Sequence, residues 1–205
     1  MRDARWLWLI AAVAMASCLM PWLTNPAAGL SLNPDDLAEW TSLAPSVLAQ
    51  TPPLFTTFLL RTPLLIVALF IGLAATRHRV WVTLLILVLA AAQLPPFEFL
   101  KDSGNSNYRQ QLLMAVLTAG LGMAVLFGIP RRFALTGAAI VSILGLAAAL
   151  VGTMSALRDM QAFALPVHIG PGVVLYSVAL ISMIAWAATT GIKKRRVHAP
   201  LSQST

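Results

Sequence analysis

Residues 55–76 read FTTFLLRTPLLIVALFIGLAAT, and this stretch decides the fold. Arg61 is its only charged residue. The hydrocarbon core of a bilayer is about 30 Å thick, and a helix needs about 20 apolar residues to cross it. Apolar side chains surround this helix instead of forming one stripe, as contact with lipid requires. The stretch is therefore predicted to be a transmembrane helix.

The rest of the chain has the same character. Its 205 residues are 59% hydrophobic and 10% charged, with a mean hydropathy of +0.81. An ordinary globular chain is about a quarter charged, so the composition excludes a soluble domain. One cysteine excludes a disulfide scaffold. Nucleic-acid binding is not expected either, because no soluble basic face with interleaved aromatic residues is present.

Six stretches are long and apolar enough to cross a membrane. Only helices can satisfy the backbone of such segments in lipid, and the alternation typical of a transmembrane barrel is absent. The predicted fold is therefore all-α, a polytopic membrane helix bundle over residues 1–196 with a short cytoplasmic tail at 197–205. The predicted spans are residues 6–23, 55–76, 80–95, 110–129, 133–155 and 172–192.

The charges predict the orientation of the bundle. Ten of the fourteen cations fall on one side of the six spans: Arg2, Arg5, Arg77, Arg79, Arg131, Arg132, Lys193, Lys194, Arg195 and Arg196. Six of the seven acids fall on the other side: Asp35, Asp36, Glu39, Glu98, Asp102 and Asp159. Cytoplasmic loops carry an excess of Lys and Arg, so both termini are predicted to be cytoplasmic.

The first span has an alternative interpretation. Two arginines followed by an apolar run are typical of a signal peptide, and residues 15–18, MASC, loosely resemble a lipoprotein cleavage site. The apolar run continues past this point to Leu23, which favours a membrane span. Whether this segment is cleaved stays open at this stage.

An additional helix is predicted outside the membrane, at residues 34–43. Asn33 is suited to cap it, Pro34 suits its first position, and the next two residues are acids that favour a helix N-terminus. Leu37, Trp40 and Ala44 share one face, with Leu43 beside them. This face is expected on the membrane surface or on the end of the bundle, as packing helix or as lid.

Small residues recur at every fourth position in two of the spans, where they permit close approach of helices. They could contact helices of the same chain or of a partner, and packing within the chain is the preferred interpretation. The positions are Gly145, Ala149 and Thr153, then Ala148, Gly152 and Ala156, and in the first span Ala12 and Ala16.

Arg61 is the most informative residue of the sequence. It lies about 24 Å above the inner edge of its span, which leaves it about 6 Å below the outer edge. Pro63 removes one helical hydrogen bond and leaves the carbonyl of Leu59 without a donor. Counting outward along the hairpin to the third span puts Glu98 at a similar depth, and we predict an Arg61–Glu98 ion pair. Intramembrane charges mark functional sites, although an arginine so near a helix end can also simply extend to the interface.

Polar residues of the outer segments suggest a pocket that faces outward. His168 precedes the sixth span, but it has no second His or Cys at metal-binding spacing, so neither a metal nor a cofactor is expected. No motif of a catalytic site is present, and no catalytic residue is assigned. The candidate ligand-binding residues are Arg61, Gln93, Glu98, Arg109, Trp40 and His168.

Three functions fit this sequence. The preferred one is a non-catalytic integral membrane subunit that packs within a larger membrane assembly. The first alternative is a small-solute-binding permease component with an outward-facing pocket, and the second is a membrane enzyme acting at the outer face. The expected partners are the lipid bilayer, other membrane subunits and, for the permease, a small molecule. The expected location is a bacterial plasma membrane.

Overall fold

The computed structural model describes residues 2–75, 79–128 and 131–197, and most of them are helical. The helices are α1 (Arg2–Leu19), α2 (Pro34–Ser42), α3 (Pro45–Leu48), α4 (Phe55–Ala74), α5 (Arg79–Ala91), α6 (Ser106–Phe127), α7 (Arg131–Ala162) and α8 (Pro171–Val197). The strands are β1 (Leu23–Asn25), β2 (Leu30–Leu32) and β3 (His168–Ile169). The predicted helical fold is confirmed, and the small sheet is an addition to it.

Four helices are long and apolar enough to cross a membrane, namely α4, α6, α7 and α8. Two further apolar helices, over Arg5–Leu19 and Arg79–Ala91, are shorter. They correspond to the first and third predicted spans. Of the cations that predict the orientation, Arg77 lies outside the described residues.

Helix ends differ from the predicted ones where prolines occur or are missing. α5 ends at Ala91 instead of residue 95, since Pro95 and Pro96 disfavour helix in the residues before them. α7 continues to Ala162 instead of residue 155, since residues 155–162 contain neither proline nor glycine. The predicted outer connection from residue 156 therefore begins as two further helical turns.

α4 is the central element of the bundle. It packs against α1, α5, α6 and α7, and α2 lies across its first turns. α8 fills the space between α1 and α7, and α5 packs on α6. Leu60, Val67, Ala68 and Phe70 of α4 are fully buried. The second predicted span is thus the core of the molecule.

The small residues of α7 are used within the chain. A β-carbon on Gly145 would lie 2.2 Å from Cδ1 of Ile66, and one on Gly152 would lie 3.2 Å from Cβ of Leu59. Both contacts are with α4, so these glycines allow the two helices to approach closely. Ala12 and Ala16 of α1 are instead exposed on the outside of the bundle.

The sheet fastens the start of α8 to the end of α1. β1 is the central strand, with β2 and β3 antiparallel on either side, and Thr24 is opposite His168. The backbone N–H of Gly170 donates to the carbonyl of Trp22 at 2.7 Å, and that of Gly172 to the carbonyl of Pro21 at 2.9 Å. The connections α1–α4 and α7–α8 therefore meet at one end of the bundle.

Gly170 has no room for a side chain, and this generates a prediction. A β-carbon there would lie 2.3 Å from the backbone oxygen of Pro21, which cannot move away cheaply. Gly170→Ala should lower the free energy of unfolding by about 2 kcal/mol or more, measured by thermal unfolding in detergent. Gly137→Ala is the control, because a β-carbon there meets open space and alanine favours helix. Equal stability of both variants would contradict the packing described here.

Candidate functional site

Helix α2 forms as predicted and docks on the end of α4. The side chain of Asn33 accepts hydrogen bonds from the backbone N–H groups of Asp35 at 2.9 Å and Asp36 at 3.0 Å. These bonds satisfy two of the donors that a helix start leaves free. On the docked face, the hydroxyls of Thr41 and Thr57 lie 3.4 Å apart in a buried contact between α2 and α4.

The buried face of α2 is slightly rotated from the predicted one. Leu37, Ala38 and Thr41 are buried, whereas Leu43 is 79% exposed. Trp40 is half-buried and meets the ring of Phe163 edge-on, with ring centroids 5.8 Å apart. Trp40 therefore links α2 to the chain that follows α7.

Arg61 projects from α4 beneath α2, and its side chain is 4% exposed. Nη2 donates to the carboxylate of Glu39 and, at 2.9 Å, to Oδ1 of Asn107. Nη1 donates to Oε1 of Gln110 at 2.9 Å and to the carbonyl of Asn107 at 3.5 Å. One guanidinium thus connects α2, α4 and α6.

Glu39 completes this arrangement. Besides the bond from Arg61, its Oε1 accepts from Nε2 of Gln111, and its Oε2 accepts from Nδ2 of Asn107 at 3.2 Å. Its side chain is 52% exposed, so solvent reaches the carboxylate but not the guanidinium. We call Arg61, Glu39, Asn107, Gln110 and Gln111 the Arg61 cluster.

The predicted partner of Arg61 is wrong. Its ion pair is with Glu39, whereas Glu98 lies exposed in a short 3-10 turn at Phe97–Leu100. The prediction counted the third span as helical to residue 95. Because α5 ends at Ala91, Glu98 leaves the hairpin before it can reach Arg61, and α2 supplies the carboxylate instead.

The consequence of Pro63 differs from the expectation. The carbonyl of Leu59, which Pro63 deprives of a backbone donor, accepts a hydrogen bond from Oγ1 of Thr62 at 2.8 Å. The proline is thus accommodated inside α4 without an orphaned carbonyl at this position.

Three other candidate residues lie apart from the Arg61 cluster. Gln93 is buried and donates to Oγ1 of Thr118 at 2.8 Å. Arg109 is exposed, and its Nε donates to the carbonyl of Ser103 at 2.7 Å. His168 is exposed on β3 and, within the described ranges, makes no hydrogen bond or ion pair with a carboxylate. The structure does not gather these residues into one pocket.

The sequence contained a partial signal for the residues that were missed. Asn107, Gln110 and Gln111 recur at i, i+3 and i+4 and so share one face of α6. Glu39 could not be identified in this way, because its position depends on how α2 folds over the bundle. That docking is a tertiary feature without a local sequence pattern.

An open cleft of about 820 Å³ lies beside the cluster, between α2 and the loop before α6. Asp36, Glu39, Trp40, Asn107 and Tyr108 are among the residues that line it. Trp40 is the one member of the predicted ligand-binding set in this lining. The surface of the cleft combines two carboxylates with two aromatic rings, and this chemistry suits an organic cation.

Asp35, at the start of α2, is half-buried near this cluster. The pKa of Asp35 is raised to about 6, chiefly because burial disfavours its charged form; Arg61 opposes this rise, and the carboxylates of Asp36 and Glu39 add to it. The folded state therefore favours the protonated form of this side chain.

Within the described parts of the chain, no group of three His, Cys, Asp or Glu side chains could hold a metal ion. No family model, curated protein or solved structure matches this chain.

The Arg61–Glu39 pair generates a double-mutant prediction. Arg61→Met and Glu39→Gln should each lower the midpoint of thermal unfolding, because each leaves partners of the other side chain unsatisfied. The double variant should be more stable than the sum of the single effects predicts, by about 1 to 2 kcal/mol. Arg61→Met combined with Glu98→Gln is the matched control and should be additive. Coupling to Glu98 instead of Glu39 would contradict the structure.

Asp35 generates a pH prediction. Its pKa is higher in the folded than in the unfolded state, so its contribution to stability is present below about pH 4 and is lost as the pH rises through about 6. Asp35→Asn should therefore stabilise the protein by about 1 to 2 kcal/mol at pH 7.5 and by much less at pH 4.5. Unfolding midpoints at both pH values measure this. Asp102→Asn, at an exposed acid outside α2, should show no such pH-dependent gain.

Proposed function

We propose that this protein crosses the plasma membrane six times and acts as a non-catalytic subunit of a larger membrane assembly. In this proposal α1, α4, α5, α6, α7 and α8 are the spans. The end that carries the Arg61 cluster faces outward, and both termini lie in the cytoplasm. Bacterial origin stays a prediction of the sequence.

The arrangement of the helix ends supports six crossings. Because the connections α1–α4, α5–α6 and α7–α8 meet at one end, consecutive long helices run in alternate directions. The shorter helices α1 and α5 are continued by apolar or interfacial residues, so they can cross a locally thinned bilayer. The positive-inside rule then assigns the opposite end, to which the sequence assigns ten cations, to the cytoplasm.

The hydrogen bonds of the Arg61 cluster are the observation on which the non-catalytic part of the proposal rests. Both terminal amino groups of Arg61 already have protein acceptors, and both oxygens of Glu39 already have protein donors. A catalytic or ligand-binding arginine needs a donor that is directed at the substrate. Here the charge serves to hold α2 and α6 against α4.

The surface of α1 supports a role in assembly. The small residues of α7 are occupied by α4, but Ala12 and Ala16 face outward beside Trp8, which is 38% exposed. Helices associate in lipid through close packing of small residues. This ridge of α1 is therefore the surface on which we place the partner subunit.

The cleft beside α2 favours a second candidate function, a small-solute-binding permease component. Its lining of Asp36, Glu39, Trp40 and Tyr108 suits an organic amine. Saturable binding of a simple quaternary ammonium ion such as choline that is abolished by Trp40→Ala would favour this candidate. Binding that is unchanged by Trp40→Ala would count against it.

Gentle solubilisation followed by native mass spectrometry tests the subunit proposal. The wild-type chain should appear with a second polypeptide at fixed stoichiometry. Ala12→Leu/Ala16→Leu should lose this polypeptide with little change in its own unfolding temperature, because these positions are exposed. Ala124→Leu, at an exposed alanine of α6, should retain it. A wild-type chain that is always alone would contradict the proposal.

A further inference from the structure

An apolar groove runs between α6 and α7, and α4 forms its floor. Both helices pack on α4, but they have little contact with each other. The space between them is a cavity of about 510 Å³ lined by Phe58, Leu121, Leu144 and Ala148 among others. Leu121 and Leu144 are 44% and 64% exposed, so the groove opens sideways to the membrane. We call this cavity the α6/α7 groove.

The groove continues into a second space at the end of the bundle that carries the Arg61 cluster. This space measures about 380 Å³ and shares Phe55 and Phe58 with the groove. Its remaining lining includes Pro52, Arg109 and Gln110. An apolar channel therefore ends at a cationic side chain.

Arg109 is positioned to bind an anion at this mouth. Its Nε is fixed by the hydrogen bond to the carbonyl of Ser103 at 2.7 Å. Within the described residues, neither of its terminal amino groups has an acceptor. A planar guanidinium with free amino groups matches the geometry of a phosphate. Gln110, by contrast, is occupied by Arg61 and by the carbonyl of Leu54.

The groove is long enough to hold an acyl chain of one bilayer leaflet. Along α4 its lining extends from Phe55 to Leu69, which is about 21 Å at helical rise. Half of a typical hydrocarbon core is about 15 Å, so an acyl chain that enters at the mouth can lie along the groove. A third cavity of about 200 Å³ shares Leu69 with the groove and extends it towards Leu73.

We propose that the α6/α7 groove binds an anionic phospholipid of the leaflet that faces the Arg61 cluster. One acyl chain lies on α4 between α6 and α7, and the phosphate is held by Arg109. A cation at one end of an apolar channel matches an amphiphile with an anionic headgroup and an apolar tail. This lipid site is separate from the subunit interface proposed on α1, and either can fail without the other.

Lipid titration tests this inference on the full chain. Delipidated protein is mixed with phosphatidylglycerol or with phosphatidylcholine of the same acyl chains, and bound lipid is counted by native mass spectrometry. An exposed ion pair contributes modestly, so we expect a preference of about threefold to fivefold for phosphatidylglycerol. Equal retention of the two lipids would overturn the proposal.

Two variants locate the lipid. Arg109 is exposed, so the Arg109→Gln variant should fold. The amount of phosphatidylglycerol that it binds should fall to that of phosphatidylcholine. The Ala148→Trp variant fills the groove and should reduce the binding of both lipids. Arg158→Gln and Val88→Trp are the controls, at an exposed arginine of α7 and an exposed lipid-facing valine of α5, and should bind as the wild type does. A preference that survives Arg109→Gln, or a partner polypeptide cross-linked in the groove, would overturn the site.

Discussion

The absence of water from the membrane interior is the constraint on which this structure depends. A backbone N–H or C=O in lipid must find its partner within the protein, so long apolar segments can only be helices. α4 shows how strictly this holds. Where Pro63 removes a donor, the hydroxyl of Thr62 bonds the carbonyl of Leu59 at 2.8 Å. The same constraint makes a buried guanidinium costly unless the protein satisfies it.

The cost of burying the Arg61 guanidinium is offset by hydrogen-bond acceptors from elements on either side of α4. Glu39 comes from α2, while Asn107 and Gln110 come from the first turn of α6. The result is that α2 and the start of α6 are fixed to the helix at the centre of the bundle. On the other side, the small sheet fastens α1 to α8. Together these contacts define one end of the bundle.

The sequence predicted the helices well because their cause is local. Apolar length located the long helices, and the Asn33 cap and Pro34 located α2 to within one residue. Helix ends were less accurate. The break before Pro95 occurs earlier than predicted, and α7 continues into a polar segment that hydropathy assigns to a loop. The strands β1 and β3 are joined by pairing across more than 140 residues, which no local pattern indicates.

The site was predicted only in part, for a related reason. Arg61 stood out because a charge inside an apolar run is unusual, whereas its partners on α6 were missed. Its carboxylate partner was wrongly predicted to be Glu98. The identity of this partner depends on the path of the chain after α5 and on the docking of α2, neither of which has a local sequence pattern. Arg109 was chosen as a polar residue of the outer face, but its relation to the α6/α7 groove depends on the gap between two helices.

Six crossings with the Arg61 cluster outside is the central claim, and cysteine labelling tests it most directly. Cys18 is buried and is the sole cysteine, so Cys18→Ala provides the background. Single cysteines are then placed at Ser46 and Ser103, and at Arg79 and Lys194. On intact cells, a membrane-impermeant maleimide should label the first two positions and reach the last two only after lysis. Labelling of Arg79→Cys or Lys194→Cys from outside, or a different result within either pair, would contradict the account.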